Sequence, residues 1–313
     1  MADNFALSVL LLILALLVGR LLPLPLVYHP FSFYAVFCNA LALKVHPDVQ
    51  RPPAQQRLSG VLALILALAI PLTLLACIYL FASWSLLIDA IILIFCANWQ
   101  PYQMQAVKIS QSLQKELTAL ARVQARLLLL RDTKTLSRMG LVKALLESLC
   151  LRFSQQVIAT IFWYLLTGAI GLLCYRLCQI ASQQWSVKLA KNQYFGIAAC
   201  RLHQLLCFIP YGLSLSLLYL QSSKQNKAAK RCIEGAPLPK SKQWLLQQLS
   251  KTLQVNLGGP AYYQQQQIRR LRLQQQYEPD IGDLKRLLRL QQHQFTLLLL
   301  MLASIAGLSF LWQ

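Results

Sequence analysis

Residues 58–82 run without a single charged side chain, and no other feature of the sequence narrows the choice of fold as far. As a helix rising about 1.5 Å per residue, roughly 20 such residues cross a hydrocarbon core about 30 Å thick. Inside that core no water satisfies the backbone, so a spanning segment of this kind is helical. Residues 5–22 repeat the pattern with one charge, Arg20, near the end. The chain as a whole is 57% hydrophobic and 13% charged. Soluble domains carry about a quarter charged residues, so a protein core alone does not explain the excess of apolar side chains.

Six apolar segments follow: about 5–22, 58–82, 84–98, 157–180, 195–220 and 295–312. The third is short and contains Asp89, and a tight helical hairpin is expected near Ser83–Trp84. The first resembles a signal peptide, but its only early charge is Asp3 and no A-x-A site follows, so it reads as a retained span. The expected fold is a single all-α domain, a polytopic transmembrane helix bundle of five or six spans with helical cytoplasmic loops.

The net charge of +20 would suggest nucleic acid in a soluble protein. Here topology explains it, and no nucleic-acid partner is expected. Residues 99–156 hold nine Lys or Arg against Glu116, Asp132 and Glu147. Residues 221–294 hold thirteen against Glu234, Glu278, Asp280 and Asp283, and residues 23–57 hold Lys44, Arg51 and Arg57 against Asp48. Six crossings place these three loops on one side. The positive-inside rule makes that side the cytoplasm and puts both termini in the periplasm of a bacterial inner membrane.

The loops carry patterns of their own. In 105–130, Leu113, Leu117, Leu120, Leu127 and Leu128 recur at helical spacing, which suggests an amphipathic helix on the membrane surface or against the bundle. Residues 243–254 and 264–294 also read as helical, separated by a break at 258–260. The glutamine runs at 264–267 and 274–276 are given no function. Of the nine cysteines, Cys77, Cys96, Cys174, Cys178, Cys200 and Cys207 lie in apolar segments and serve as small apolar residues. No zinc spacing is present, and no metal ligand is assigned.

Three groups of residues could carry chemistry. Arg131-Asp132-Thr133 reads first as a cap, with Asp132 or Thr133 at the start of a helix over 134–150, and second as a corner that handles phosphate or metal. Leu257-Gly258-Gly259-Pro260 allows backbone angles closed to other residues, and such a turn can present amides to a phosphate. Asp89, Glu147, Arg176, Arg201 and His203 are polar groups in or near apolar segments, where charges face a cavity or a partner or else snorkel.

These residues resemble the CobD/CbiB family, to which the AmpE proteins are related. The likeness runs from His29-Pro30 through Arg131-Asp132-Thr133, Glu147-Ser148-Leu149 and Tyr175-Arg176. It continues through Phe195-Gly196, Cys200-Arg201-Leu202, Ile209-Pro210, Leu257-Gly258-Gly259-Pro260 with Tyr263, and Asp280 with Asp283-Leu284-Lys285-Arg286. The resemblance implies an adenosylcobinamide-phosphate synthase of cobalamin biosynthesis. Such an enzyme joins adenosylcobyric acid to aminopropanol phosphate as an amide, with ATP and Mg2+. It further implies Asp132 and Glu147 as catalytic residues. Arg131, Thr133, Arg176, Arg201, Gly258, Gly259, Pro260, Asp280 and Asp283 become ligand-binding ones, with a corrinoid as ligand and room for a homo-oligomer or protein partner.

The chain also departs from the family pattern. Leu151-Arg152 and Gln155 stand where the family has a Glu-Asn pair and an Asp, and Gln179 and Ser182 replace an Asn and an Asp. His203-Gln204 replaces an Asp pair, and Cys207 an Asn. Each change removes a hard oxygen ligand or a charge. A second reading therefore stands beside the synthase: a catalytically lapsed, AmpE-like membrane sensor or interaction protein. A transporter would need paired broken helices and inverted repeats, which the sequence does not show.

Overall fold

The structure is a computed structural model that describes residues 2–25, 29–48, 50–82, 84–134, 136–222, 230–232, 239–264, 266–268, 270, 272–275 and 277–311. Ser83, Glu234, positions 265 and 276 in the glutamine runs, and the end of the last expected span at 312 lie outside the described residues. The chain is an all-α polytopic bundle with a few short strands. The stretches Pro53–Phe81, Ser85–Gln114, Arg138–Gln184 and Ile281–Ser309 are long and apolar enough to cross a membrane. A fifth joins them if the bent pair Ile197–Leu206 and Phe208–Leu220 is one span. By the same measure, the described apolar helices Ala6–Leu21 and Pro30–Val45 are shorter.

The helices are α1 (Ala2–Leu21), α2 (Pro30–Val45), α3 (Pro53–Phe81), α4 (Ser85–Cys96), α5 (Gln100–Gln114) and α6 (Thr118–Ala125). They continue as α7 (Arg138–Phe153), α8 (Ala159–Gln184), α9 (Ile197–Leu206), α10 (Phe208–Leu220), α11 (Lys240–Leu253) and α12 (Ile281–Leu311). The strands are β1 (Lys230–Cys232), β2 (Leu257–Gly258), β3 (Ala261–Tyr263), β4 (Gln266–Ile268) and β5 (Arg272–Gln274). A π-helical turn, Ser154–Ile158, follows α7. The helix Arg138–Gln184 has 47 residues, more than twice what a bilayer needs, so only part of it crosses. Its first section bears Arg138, Lys143, Glu147 and Arg152 and lies outside the apolar stretch that begins near 157.

Two compact units divide the chain. The first comprises residues 1–98, 159–207 and 302–313. One face of α3 makes its core: Ala63, Leu64 and Ala67 are buried with Cys38, Ala181, Trp185, Phe195 and Ala199. A Cβ at Gly60 would collide with the Phe195 carbonyl oxygen, so glycine lets α3 approach that backbone closely. Pro71 offers no N–H to Ala67, four residues before it, and the Tyr34 hydroxyl donates to that carbonyl instead at 3.3 Å. His29 caps α2: its Nδ1 accepts from Phe31 N–H at 3.2 Å and its Nε2 donates to the Phe95 carbonyl at 3.1 Å. Asp89 accepts a hydrogen bond from the Tyr79 hydroxyl.

The second unit comprises residues 99–158 and 208–301. The single amphipathic helix expected over 105–130 is two helices here. Glu116, at φ 61°, breaks the chain between α5 and α6. Leu113 and Leu128 are buried, whereas Leu117, Leu120 and Leu127 are exposed. Residues 240–253 are helical, but the helix expected over 264–294 starts only at Ile281. Before it, β3 pairs with β4, while β5 pairs with both β1 and β2. The reason lies in the run Arg270-Leu271-Arg272-Leu273, whose alternation has the period of a strand. Leu273 is buried and Arg272 exposed, as that period requires.

Candidate functional site

The second unit gathers the Arg131–Thr133 and Leu257–Pro260 motifs around one residue of α7. Ser137 is the helix N-cap, its Oγ accepting from Gly140 N–H at 3.1 Å. Two turns further on, α7 is buried almost all round, and Glu147 is buried with it. Glu147 Oε1 accepts from Gly258 N–H at 2.8 Å. Its Oε2 lies 3.1 Å from Arg270 Nη2 and 4.0 Å from Arg131 Nη2.

Gly258 and Gly259 take φ of 81° and 99°, the left-handed region that favours glycine. That geometry turns β2 toward Pro260 and frees the Gly258 amide for Glu147. The register of β5 on β2, with Gly258 opposite Arg272 and Leu257 opposite Leu273, brings the arginine-rich strand to the glycine turn.

The cap expected at Asp132 or Thr133 is corrected by this arrangement. Asp132 N–H donates to the Tyr262 carbonyl at 2.9 Å, and Thr133 Oγ1 donates to the Arg122 carbonyl at 2.9 Å. Arg122 Nε in turn donates to the Leu136 carbonyl at 2.9 Å. The Arg131–Thr133 segment is thus held between α6 and β3 by hydrogen bonds, and the helix starts later, at its N-cap Ser137. At the start of α12 Asp280 N–H donates to Asp283 Oδ2 at 2.9 Å, one arm of a capping box, and Asp283 N–H donates to the Asp280 carbonyl at 3.0 Å. Arg286 Nη1 adds an ion pair to Asp283 Oδ1 at 3.2 Å. Arg176 and Arg201 belong to the first unit. There Arg176 is buried beside Gln179, its guanidinium 5.5 Å from the Phe31 ring centre, and Arg201 is exposed.

Electrostatics fix the character of the site. Burial alone would raise the Glu147 carboxyl, yet the charges of Arg270 and Arg131 and the Gly258 amide hold it below the ordinary range. The same carboxylate raises Arg270 against its own burial. A second carboxylate, Glu278, pairs with Lys143 at 3.0 Å and Arg272 at 3.6 Å and accepts from Asn256 at 2.8 Å. Four cations therefore meet two carboxylates. A cavity of about 190 Å³ opens among them, lined by Arg131, Lys143 and Arg272, by Ser137 and Gly140 of the α7 start, and by the Gly258–Pro260 turn. Where a Cβ would stand on Gly259 the space is open.

This donor set suits an anion. Both oxygens of Glu147 are taken, and Asp283 is committed to its cap and to Arg286. Among the described residues no cluster of three His, Cys, Asp or Glu could hold a metal ion. Cationic side chains beside glycine amides fit a phosphate or carboxylate group. Sequence reading named Arg131 and the glycine turn but missed Arg270, Arg272, Lys143 and Glu278. The strand-period alternation at 270–273 was the available signal for two of them.

Fold and site together define a polytopic helical membrane protein with a cationic, glycine-edged cavity outside its apolar stretches. The family described as CobD/Cbib protein matches residues 12–291, and the chain belongs to that family. It is 29% identical to the cobalamin biosynthesis protein CobD of Chromobacterium violaceum over 268 residues, 82% of this chain and 83% of the relative. The protein of the same name from Stutzerimonas stutzeri is 29% identical over 252 residues, 80% and 82% of the two chains. A probable cobalamin biosynthesis protein CobD from Pyrococcus furiosus is 33% identical over 133 residues, 42% and 46% of the two chains. No solved structure matches.

Proposed function

We propose that this CobD-family protein acts in cobalamin biosynthesis by binding the phosphate of aminopropanol phosphate in the Arg131–Lys143–Arg272 cavity for amide ligation to adenosylcobyric acid. The observation that carries this reading is the excess of cations over carboxylates around a cavity edged by Gly259. Arg131 and Lys143 neutralise the phosphate, and the start of α7 adds the positive end of a helix dipole. Glu147 is a positioning residue: it sets Gly258 and the two guanidinia but has no free oxygen with which to move a proton. ATP, when bound, supplies the phosphoryl group that activates the carboxylic acid. No step is assigned to a metal ion.

The cavity faces the cytoplasm in this reading, in a bacterial inner membrane with periplasmic termini. The positive-inside count of its loops supports that placement. A binding-only, AmpE-like role is the second reading, favoured by the engagement of both Glu147 oxygens. Turnover separates the two. Reconstituted protein supplied with adenosylcobyric acid, aminopropanol phosphate and Mg-ATP is expected to form the amide, with Arg131→Gln raising KM for the phosphate substrate more than it lowers kcat. Phosphate binding without any product would overturn ligation in favour of the sensor.

A further inference from the structure

A second cavity, of about 440 Å³, lies apart from the glycine turn, where α10, α11 and α12 meet. Arg286, Arg289 and His293 line it at the i, i+3 and i+7 positions of one α12 face, with Gln221, Thr252 and Gln254 opposite. Its level in the fold is set by sequence. The apolar helix α10 ends at Leu220, one residue before Gln221, and the apolar run of α12 starts at Phe295, two residues after His293. The apolar sequences of α10 and of the α12 span thus both end at this cavity. By helical rise, His293 stands about 3 Å and Arg289 about 9 Å below Phe295, the depth of a headgroup layer. Tyr219 and Leu220 on one side and Leu300 on the other are exposed, as side chains facing lipid are.

The charge is one-sided. Asp283 pairs with Arg286, but among the described residues Arg289 and His293 have no ion-pair partner. Gln221 lines the cavity with an amide side chain able to hydrogen-bond a ligand hydroxyl. An arginine charge and an imidazole for a phosphodiester, an amide for a hydroxyl and a position where two apolar helix sequences end describe one chemistry. We infer that this cavity holds the headgroup of an anionic glycerophospholipid, its phosphate on Arg289 and His293 and a glycerol hydroxyl on Gln221. The inference does not depend on what the Arg131 cavity binds.

The test uses the full chain, reconstituted in mixed phosphatidylglycerol and phosphatidylcholine and then extracted into detergent, with retained lipid counted by native mass spectrometry. Wild type is expected to retain phosphatidylglycerol over phosphatidylcholine, and Arg289→Gln with His293→Gln to lose it at least about fivefold, the equivalent of about 1 kcal/mol for the arginine charge removed. Arg289→Lys keeps the charge and keeps the lipid, and Lys108→Gln, at an exposed position of α5, leaves retention unchanged. Circular dichroism of the double variant confirms that helix content is intact. Equal retention of the two lipids, or retention unchanged in the double variant, overturns the inference. So does displacement of phosphatidylglycerol by millimolar inorganic phosphate, which would make the cavity a site for a soluble anion.

Discussion

The backbone N–H of Gly258 donates to Oε1 of Glu147 at 2.8 Å, tying the glycine turn to the third turn of α7 across 111 residues of sequence. Because the other oxygen faces Arg270 and Arg131, one side chain holds together a turn, a helix and two cations. Replacing Glu147 by Gln leaves two nearly buried guanidinia without their counter-charge. Breaking a buried pair in this way costs about 3–5 kcal/mol. Chemical denaturation in detergent is expected to show a loss of that order in Glu147→Gln. A purely catalytic Glu147 would leave stability near wild type.

Acid should unfold the second unit through the same residue. The folded Glu147 carboxyl titrates below its unfolded counterpart, so the folded state binds fewer protons across that interval. Its stabilisation is complete above the ordinary glutamate range, near 4.5, and is lost as pH falls through the folded value. Glu278 is lowered in the same direction by Lys143, Asn256 and Arg272 despite a burial penalty, but it is largely exposed and contributes little. The melting temperature is expected to fall from pH 5 to pH 3, and to fall less steeply in Glu147→Gln. Equal slopes in the two proteins would remove Glu147 from the account.

At Gly259 the strain of an added Cβ is separable from its bulk. The space above its Cα is open, yet φ is 99°. Gly259→Ala is therefore expected to cost about 1–2 kcal/mol through backbone strain alone. Gly259→D-Ala, introduced by semisynthesis, fits the left-handed backbone and is expected to restore stability. A D-Ala variant as unstable as the L-Ala one would show that bulk, not conformation, governs the position.

Asp283 offers a test of whether the acidic residues near α12 belong to the site or to the helix. Asp283→Ala removes the side-chain cap on the Asp280 N–H and is expected to cost about 1 kcal/mol. Affinity for a phosphate ligand at Arg131 should be unchanged. A tenfold loss of that affinity with stability intact would place Asp283 in the ligand site.

How much of this was written in the sequence depends on which kind of pattern carried it. The uncharged run at 58–82 has one physical solution, and α3 fills it. The two glycines at 258–259 were legible as a turn because positive φ is what glycine permits and other residues resist. The helix starts were legible only loosely. Asp132, Thr133 and Ser137 are all good caps, and the hydrogen bonds of Asp132 to Tyr262 and Thr133 to Arg122 decided among them. The cations around the cavity were harder to find. Arg270 and Arg272 sit in a glutamine-rich stretch whose composition suggests helix, and pairing with β1 and with Leu257–Gly258 makes residues 272–274 a strand. Local propensity cannot show such a long-range partner.

The most direct test of the central claim is a calorimetric titration of the purified full-length protein with aminopropanol phosphate and, separately, with aminopropanol. Charge-assisted hydrogen bonds to the phosphate contribute about 1.5–3 kcal/mol each, so the phosphorylated ligand should bind at least about tenfold more tightly. Arg131→Gln and Lys143→Gln should each erase most of that difference. Equal affinity for the two ligands, or a preference for the phosphate that survives both substitutions, would contradict the assignment of the cavity as a phosphate site.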